Sequence, residues 1–418
     1  MCSSLPSNQN ICLYNLPNTN FSIQIATELA TIKETWQEQQ PAANIFLQTD
    51  YLMALESHMP SVLKPVYVII YNAQGEIVGL SYMQIFKINV AESIKLETTN
   101  KSLWQNIKNA CNKQLLQIAN VNILVSGNLL LTGQYGFYFN APIAETTQIQ
   151  LINAALNCTK TILKEKQNEN IQLSFIKDFP EGIAQTPKTL LEKEGYLAFK
   201  MQPGFRINLR KNWQTFDDYL GDMQSKYRVR AKSAQKKFQG IEKRELTYEE
   251  IKTHLPKIHA LYLHIADGAI FNAFTLHPAY FLALKAHLKD NFKLVGYFLK
   301  GDMVAFCTAI FNGKELEAHF LGVEHEYNHE YKIYLNILYD LIHMGIYHQF
   351  EVIDFARTAP EIKTSVGAEA GDLYCFLKHY NPILNPIMKW GVRRFNPTEE
   401  FQPRHPFKEN INPTEEGK

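Results

Sequence analysis

Asp354, Arg357, Thr358 and Lys363 fall within ten positions, directly after the apolar run at residues 350–355. Polar groups bunched where a buried strand ends are a usual way for an α/β fold to present chemistry. Here Arg357 and Lys363 could hold a carboxylate, a phosphate or an oxyanion. Pro360 cannot continue a strand, so the chain must leave the sheet, and Gly367 permits a turn. Taken alone, the same residues also describe a solvated loop with a surface ion pair. A second cluster is basic: Lys226, Arg228, Arg230, Lys232, Lys236, Lys237, Lys243 and Arg244 stand against one acid, Glu242. On a helix, Arg228, Lys232 and Lys236 stack at i, i+4 and i+8, with Tyr227, Ala231, Ala234 and Phe238 on an apolar face. Residues 226–244 could hold an anionic group, whether a phosphate-bearing cofactor, a phospholipid headgroup or RNA, with RNA not favoured. A third is His325-Glu-Tyr-Asn-His329, the zinc-peptidase spacing, with Glu351 as a third ligand by distance along the chain. It follows Gly322 by three residues and is expected on a loop, so ordinary histidines and no metal are the better reading.

The elements around these residues can be read from pattern. Residues 292–298, 303–311 and 315–321 read as a strand meander, with turns at Lys300-Gly301-Asp302 and Asn312-Gly313. A helix over 331–345 presents Tyr331, Leu335, Leu338, Tyr339 and Ile342 on one face. The strand at 350–355 follows. Residues 66–71 and 77–86 form a similar hairpin, and Gly75-Glu-Ile-Val78-Gly parallels Gly301-Asp-Met-Val304-Ala. Each hairpin is preceded by a helical stretch (50–57; 278–288) and followed by a helix (147–164; 331–345). The chain therefore reads as internally doubled. The first copy lacks the Asp/Arg/Lys exit and has only Lys177 and Asp178 there. Its Ser126-to-Gly136 stretch could line a channel or form turns beside a buried strand.

This order resembles the GNAT fold of acyl-CoA N-acyltransferases. The wording from Gly322 through the Tyr/Leu-rich helix to Asp354-Phe-Ala-Arg357-Thr-Ala and Lys363 resembles its FemAB-like branch. The resemblance spans roughly residues 45 to 390. It implies an α/β chain of tandem GNAT-like domains, with mixed, mostly antiparallel sheets and flanking helices. The expected divisions are an N-terminal extension (1–44), a first domain (45–205), a second, catalytic domain (206–395) and a disordered tail (396–418), in which Asn-Pro-Thr-Glu-Glu occurs twice. It implies transfer of an acyl or aminoacyl group from an activated donor such as acyl-CoA to an amine, a small molecule or a cell-envelope precursor. The alternative is an inactive binding protein of the same fold. Glu317 would be the base, if Leu316 points to the core. Tyr327 or Tyr374 would protonate the leaving thiolate, and Arg357 and Lys363 would hold an anion. Lys363 matches the Lys of FemX-like enzymes. Arg228, Lys232, Lys236 and Asn328 would bind the donor. The pyrophosphate signature Arg/Gln-x-x-Gly-x-Gly/Ala does not occur, which leaves room for another acyl carrier.

Composition sets the outer limits. The chain has 418 residues, 42 basic and 41 acidic, so no global field favours nucleic acid or membrane. The six cysteines are scattered with no C-x-x-C, and Cys307 lies in an apolar run that suits a small core residue. The N-terminus has no basic and apolar leader, and no apolar stretch reaches the ~18–20 residues of a membrane span. A cytoplasmic location is the expectation.

Overall fold

The computed structural model describes residues 2–3, 13–89, 120–266, 274–395 and 401–408. Two units divide the chain, and neither is contiguous. Unit 1 takes residues 1–201, 268–288 and 372–398, and unit 2 takes 202–267, 289–371 and 399–418.

Unit 1 is built on a ten-stranded sheet, with strands numbered along the whole chain. These are β1 (Cys2–Ser3), β2 (Leu13–Asn15), β3 (Ser22–Ala26), β4 (Leu63–Tyr71), β5 (Ile77–Asn89), β6 (Asn120–Ser126), β7 (Phe137–Phe139), β8 (Leu173–Pro180), β9 (Leu197–Lys200) and β17 (Leu373–His379). The order is β1-β2-β3-β4-β5-β6-β8-β17-β9, with β7 beside β5. Among the described strands of this sheet, only β6 and β8 run parallel. The helices are α1 (Lys33–Gln39), α2 (Thr49–Ser57), α3 (Glu145–Gln167), α4 (Gln185–Lys193), α8 (Tyr280–Leu288) and α12 (Leu384–Phe395). The unbroken apolar run of β4 follows from burial on both faces. Val66, Val68 and Ile70 pack with Ile149, Ile152 and Leu156 of α3. Tyr67, on the other face, meets Trp36 of α1 edge-on at 5.5 Å and bonds Glu56 of α2. Pro65 is tolerated because β3 pairs only with residues 67–71 of β4, so its missing N–H faces no strand.

Unit 2 has a seven-stranded sheet: β10 (Gly204–Asn208), β11 (Ile241–Glu245), β12 (Phe292–Leu299), β13 (Asp302–Asn312), β14 (Glu315–Val323), β15 (Val352–Asp354) and β16 (Glu369–Gly371). Its order is β11-β12-β13-β14-β15-β10-β16. Its helices are α5 (Phe216–Asp222), α6 (Ser225–Lys237), α7 (Tyr248–Ala266), α9 (His325–Tyr331), α10 (Ile333–Tyr347) and α11 (Pro360–Ser365). Ile207, Leu316 and Ile353 form one sheet face and pack with Ile337, Leu338, Leu341 and Ile342 of α10. Lys300 and Gly301, both with positive φ, make the β12–β13 turn.

The doubling is visible as a repeated order. A hairpin (β4–β5; β12–β13) leads to a strand (β6; β14), a helix (α3; α10) and a parallel neighbour (β8; β15). An antiparallel strand drawn from elsewhere in the sequence then completes each sheet: β17 beside β8, and β10 beside β15.

Several expected boundaries move. Residues 13–44 are not an appendage: β3 joins β4, and Trp36 is fully buried. A single cut near residue 205 fails because β17 lies between β8 and β9. The helix expected at 278–288 to open the second copy packs instead with α2 of unit 1, where the Tyr51 and Tyr280 hydroxyls meet at 3.5 Å. The tail is ordered at 401–408: Phe407 packs on Trp213 and Tyr219, and pairs with Met223 across a bridge. Residues 396–400 and 409–418 lie outside the described residues. Among the described residues, no helix is long and apolar enough to cross a membrane.

Candidate functional site

The parallel ladder between β14 and β15 is short. It pairs Glu315 with Val352, Leu316 with Ile353 and Glu317 with Asp354, and there β15 ends. β14 runs on to Val323 with only β13 beside it. Its own course is irregular there. A register shift falls opposite Thr308, whose hydroxyl accepts from the Phe320 N–H and donates to the Phe320 carbonyl, both at 2.8 Å. The two strands therefore part beside a bulge, and bulges re-aim backbone next to sites.

Leu316 does point to the core, so Glu317 is on the opposite face of the sheet, 2 % exposed. It shares that face with Asp354, its ladder partner, and with Glu315 two residues back. Arg206 of β10 bonds Glu315 and lies 3.5 Å from Asp354. Burial and Glu315 push the Asp354 carboxyl up, to about 6, against the pull of the Ala356 N–H, Arg206 and Lys363.

Lys363 is placed differently from the cleft surface expected for it. It is 4 % exposed and its ammonium donates to the carbonyls of Phe355, at 2.5 Å, and Arg357. Desolvation presses it down to about 7, against the attraction of Asp354. The reason lies in the loop it holds. Ala356, Thr358 and Ala359 all have positive φ, a conformation that costs non-glycine residues ~1–3 kcal/mol each. Asp354 Oδ1 accepts from the Ala356 N–H at 2.7 Å, and Lys363 ties down the carbonyls on either side. Gly367, with φ +98°, lies under the Phe407 ring, which a Cβ would strike.

The outer side of this loop lines a groove of about 560 Å³. Ala359 and Ile362 form one wall. Arg230, Ser233, Ala234 and Lys237 of α6 form another, and His325, Asn328, His329 and Lys332 a third, with Tyr334 and Leu335 at the start of α10. Among the described residues, no carboxylate lines it. The start of a fifteen-residue helix and three cations, of which Arg230 and Lys237 are exposed, give the groove the charge an anion would need. Asn336 fixes the geometry: its buried amide donates to Ala234 O of α6 at 3.1 Å and to Lys332 O at 3.0 Å.

Of the expected donor-binding residues, Asn328 lines the groove, and its side chain caps the Tyr334 N–H at 3.0 Å. Arg228, Lys232 and Lys236 do not line it. Tyr227, Ala231 and Ala234 anchor α6, and this turns the 230/233/237 row to the groove while Arg228 reaches back toward the carbonyls of Gly221 and Met223. The basic stretch is also not one helix, since Lys243 and Arg244 belong to β11. Tyr327 is on α9, partly buried against the unit 2 core near Tyr331. Arg357 is half-buried in the exit loop. Tyr374 belongs to β17 and hence to unit 1, where Lys200 lies over its ring. His325 and His329 sit on a helix, not the expected loop. Glu351 is committed to Lys314 at 2.5 Å, and no group of three or more His, Cys, Asp or Glu among the described residues is set to hold a metal. The residues missed were Arg230, Lys237, Lys332 and Asn336. The apolar spacing of α6 carried the signal for the first two.

In unit 1 the corresponding strand exit is also a buried pair. Lys177 and Asp178 meet at 2.5 Å, with Lys177 donating to Leu131 O and Asp178 accepting from Gly133 N–H. The stretch from Ser126 to Gly136 is thus a set of turns wrapped on this pair.

A hairpin, a further strand, a helix and a parallel neighbouring strand, in that order twice in one chain, make a tandem GNAT-like fold. The crystal structure of FemX is similar with a TM-score of 0.54 at 11 % identity, covering 87 % of this chain and 99 % of that one. A tandem GNAT protein from the clavulanic acid biosynthesis pathway gives 0.49 at 11 % identity, covering 86 % and 99 %. L-PGS from Bacillus licheniformis gives 0.44 at 10 %, covering 83 % and 95 %. The likeness is one of fold. No family model and no curated protein sequence matches the chain.

Proposed function

We propose that the chain is an acyltransferase that moves an acyl or aminoacyl group from a phosphate-bearing activated donor to an amine. The observation that carries this is the cationic groove at the start of α10, with no carboxylate among its described lining residues, which shares the exit loop of β15 with the buried Glu317, Asp354 and Lys363. Arg230, Lys237 and Lys332 hold the donor's phosphates. The amine nitrogen attacks the donor carbonyl carbon, the bond from that carbon to the carrier breaks, and the amine proton passes through water to Glu317. Tyr327 returns a proton to the leaving thiolate or ribose oxygen. Arg357 steadies the oxyanion. Lys363 is a positioning residue, since its ammonium is engaged with two carbonyls. Tyr374 has no role in this scheme. Acyl-CoA is the first donor to test, and a cell-envelope precursor amine is one acceptor class.

The experiment is thiol release from an acyl-CoA panel with an amine panel, run beside transfer of labelled amino acid from aminoacyl-tRNA. Turnover of either donor that Glu317→Gln abolishes supports the reading and identifies the carrier. Donor binding without turnover by any amine leaves the second reading, a binding protein of this fold. The near-complete burial of Glu317 and Lys363 favours that reading. Absence of binding by both donors overturns both.

A further inference from the structure

Helix α12, in unit 1, carries large apolar side chains outward. Ile383, just before it, and Leu384, Ile387 and Trp390 are 72, 45, 60 and 66 % exposed. Positions 384, 387 and 390 follow helical spacing, so they form one stripe. The opposite side is pinned to the protein: the Asn385 side chain donates to Gly195 O at 2.9 Å and accepts from the His379 N–H at 3.0 Å. The stripe is therefore held outward by the helix's own attachment.

The charge along this stretch of the chain has one sign. Between Asp372 and Glu399 the chain has no acid, and it has Lys378, Lys389, Arg393 and Arg394. Arg393 and Arg394 are exposed in the last turn, where cations suit the helix dipole. The cations extend past the helix. Burial first, and then Lys389 against the pull of Glu194, lowers Lys378; burial first, and then Lys378 and Lys164, lowers Lys160.

We propose that α12 is a membrane-surface anchor for bilayers with anionic headgroups. Ile383, Leu384, Ile387 and Trp390 enter the boundary between headgroups and acyl chains, and Arg393 and Arg394, exposed in the last turn, reach the phosphates. Twelve residues span ~18 Å, which is enough to lie in the interface and too little to cross it. A second copy fits the face poorly, because a twofold contact would set these cations against their own images. Trp with Arg and Lys beside an aliphatic stripe is the composition an interface takes up, with the ring at headgroup depth.

The test is flotation of the full chain with vesicles of phosphatidylcholine alone and of phosphatidylcholine with one third phosphatidylglycerol. The chain should float with the anionic vesicles and stay down with the neutral ones. Arg393→Gln with Arg394→Gln should lower partition roughly 25-fold, about fivefold for each charge removed. Ile387→Asp should abolish flotation while melting and circular dichroism stay at wild-type values, because the side chain is exposed. As a control, Lys232→Gln with Lys236→Gln on α6 should leave flotation unchanged. Failure of the wild type to float with anionic vesicles overturns the proposal. So does flotation unchanged by Ile387→Asp, or lost with the α6 control instead. If sedimentation velocity shows a dimer that Ile387→Asp dissolves, and nothing floats, the face is a self-interface and the proposal falls.

Discussion

Replacing Lys363 by Met should destabilise the protein by about 3 kcal/mol at neutral pH. The figure follows from its two bonds. The ammonium is the donor to the Phe355 and Arg357 carbonyls, and Met offers none. A carbonyl left unpaired out of water costs ~1–3 kcal/mol. Asp354 also loses a cation while it stays buried. The left-handed run at Ala356, Thr358 and Ala359 then keeps Asp354 as its side-chain tie, beside the backbone bond from Phe205 N–H to Ala356 O. The pH dependence separates this account from a simple loss of packing. Lys363 titrates near 7 in the folded chain and near ~10.4 when unfolded. Between these values the unfolded chain holds a proton that the folded chain lacks, so stability rises with pH by up to ~1.4 kcal/mol per unit. This stability is complete above the unfolded pKa and is lost as pH falls through about 7. Asp354, raised to about 6, acts in the reverse sense: stability falls as pH rises from ~4 to 6. Urea unfolding of wild type and Lys363→Met from pH 4 to 10 measures both limbs. The variant should lose the rising limb above pH 7, and its falling limb should extend to higher pH because Asp354 has lost a cation. A variant within ~0.5 kcal/mol of wild type at pH 7, or one that keeps the rising limb, refutes the reasoning.

Arg230→Gln with Lys237→Gln should weaken donor binding by roughly tenfold or more at low salt and less at high salt, whereas Arg228→Gln with Lys232→Gln should change it little; isothermal titration compares the pairs. Lys177→Met should cost about 3–5 kcal/mol in chemical denaturation, because Asp178 is left buried without its cation. Phe407→Ala should cost about 2 kcal/mol, less than a fully buried Phe, and a tail without contacts would show no effect. The Cys307 thiol, pushed up to about 12 by burial, should resist alkylation in the native protein and react once unfolded; rapid native labelling at that residue would contradict its place in the core.

The six strands read at 66–71, 77–86, 292–298, 303–311, 315–321 and 350–355 were legible because each is an apolar run next to a turn signal. Lys300-Gly301 and Asn312-Gly313 sit at the observed turns, and the expected 303–311 became Asp302–Asn312. The fold class followed from the order of those runs. The interleaving did not, since 373–379 was not read as a strand and its place between β8 and β9 depends on pairing across almost two hundred residues. The site divided along similar lines. Lys363 was marked by its type and spacing, but its direction depended on the left-handed loop at 356–359, which carries no glycine to announce it. Arg228 was preferred to Arg230 because charge spacing was read ahead of the apolar face, and burial of Ala231 and Ala234 decides which row turns to the groove. Lys332 and Asn336 lay inside what reads as one continuous helix, and the left-handed Lys332 that splits it has no side-chain signature.

The position of β17 also sets when the molecule can finish folding. During synthesis, residues 1–201 leave the ribosome long before Leu373, yet β8 and β9 touch only through the strand that begins there. A nascent unit 1 therefore waits with two open strand edges while all of β10 to β16 is made. Such edges invite pairing with other chains. Chains stopped before residue 372 should accumulate as aggregates rather than as a soluble first half.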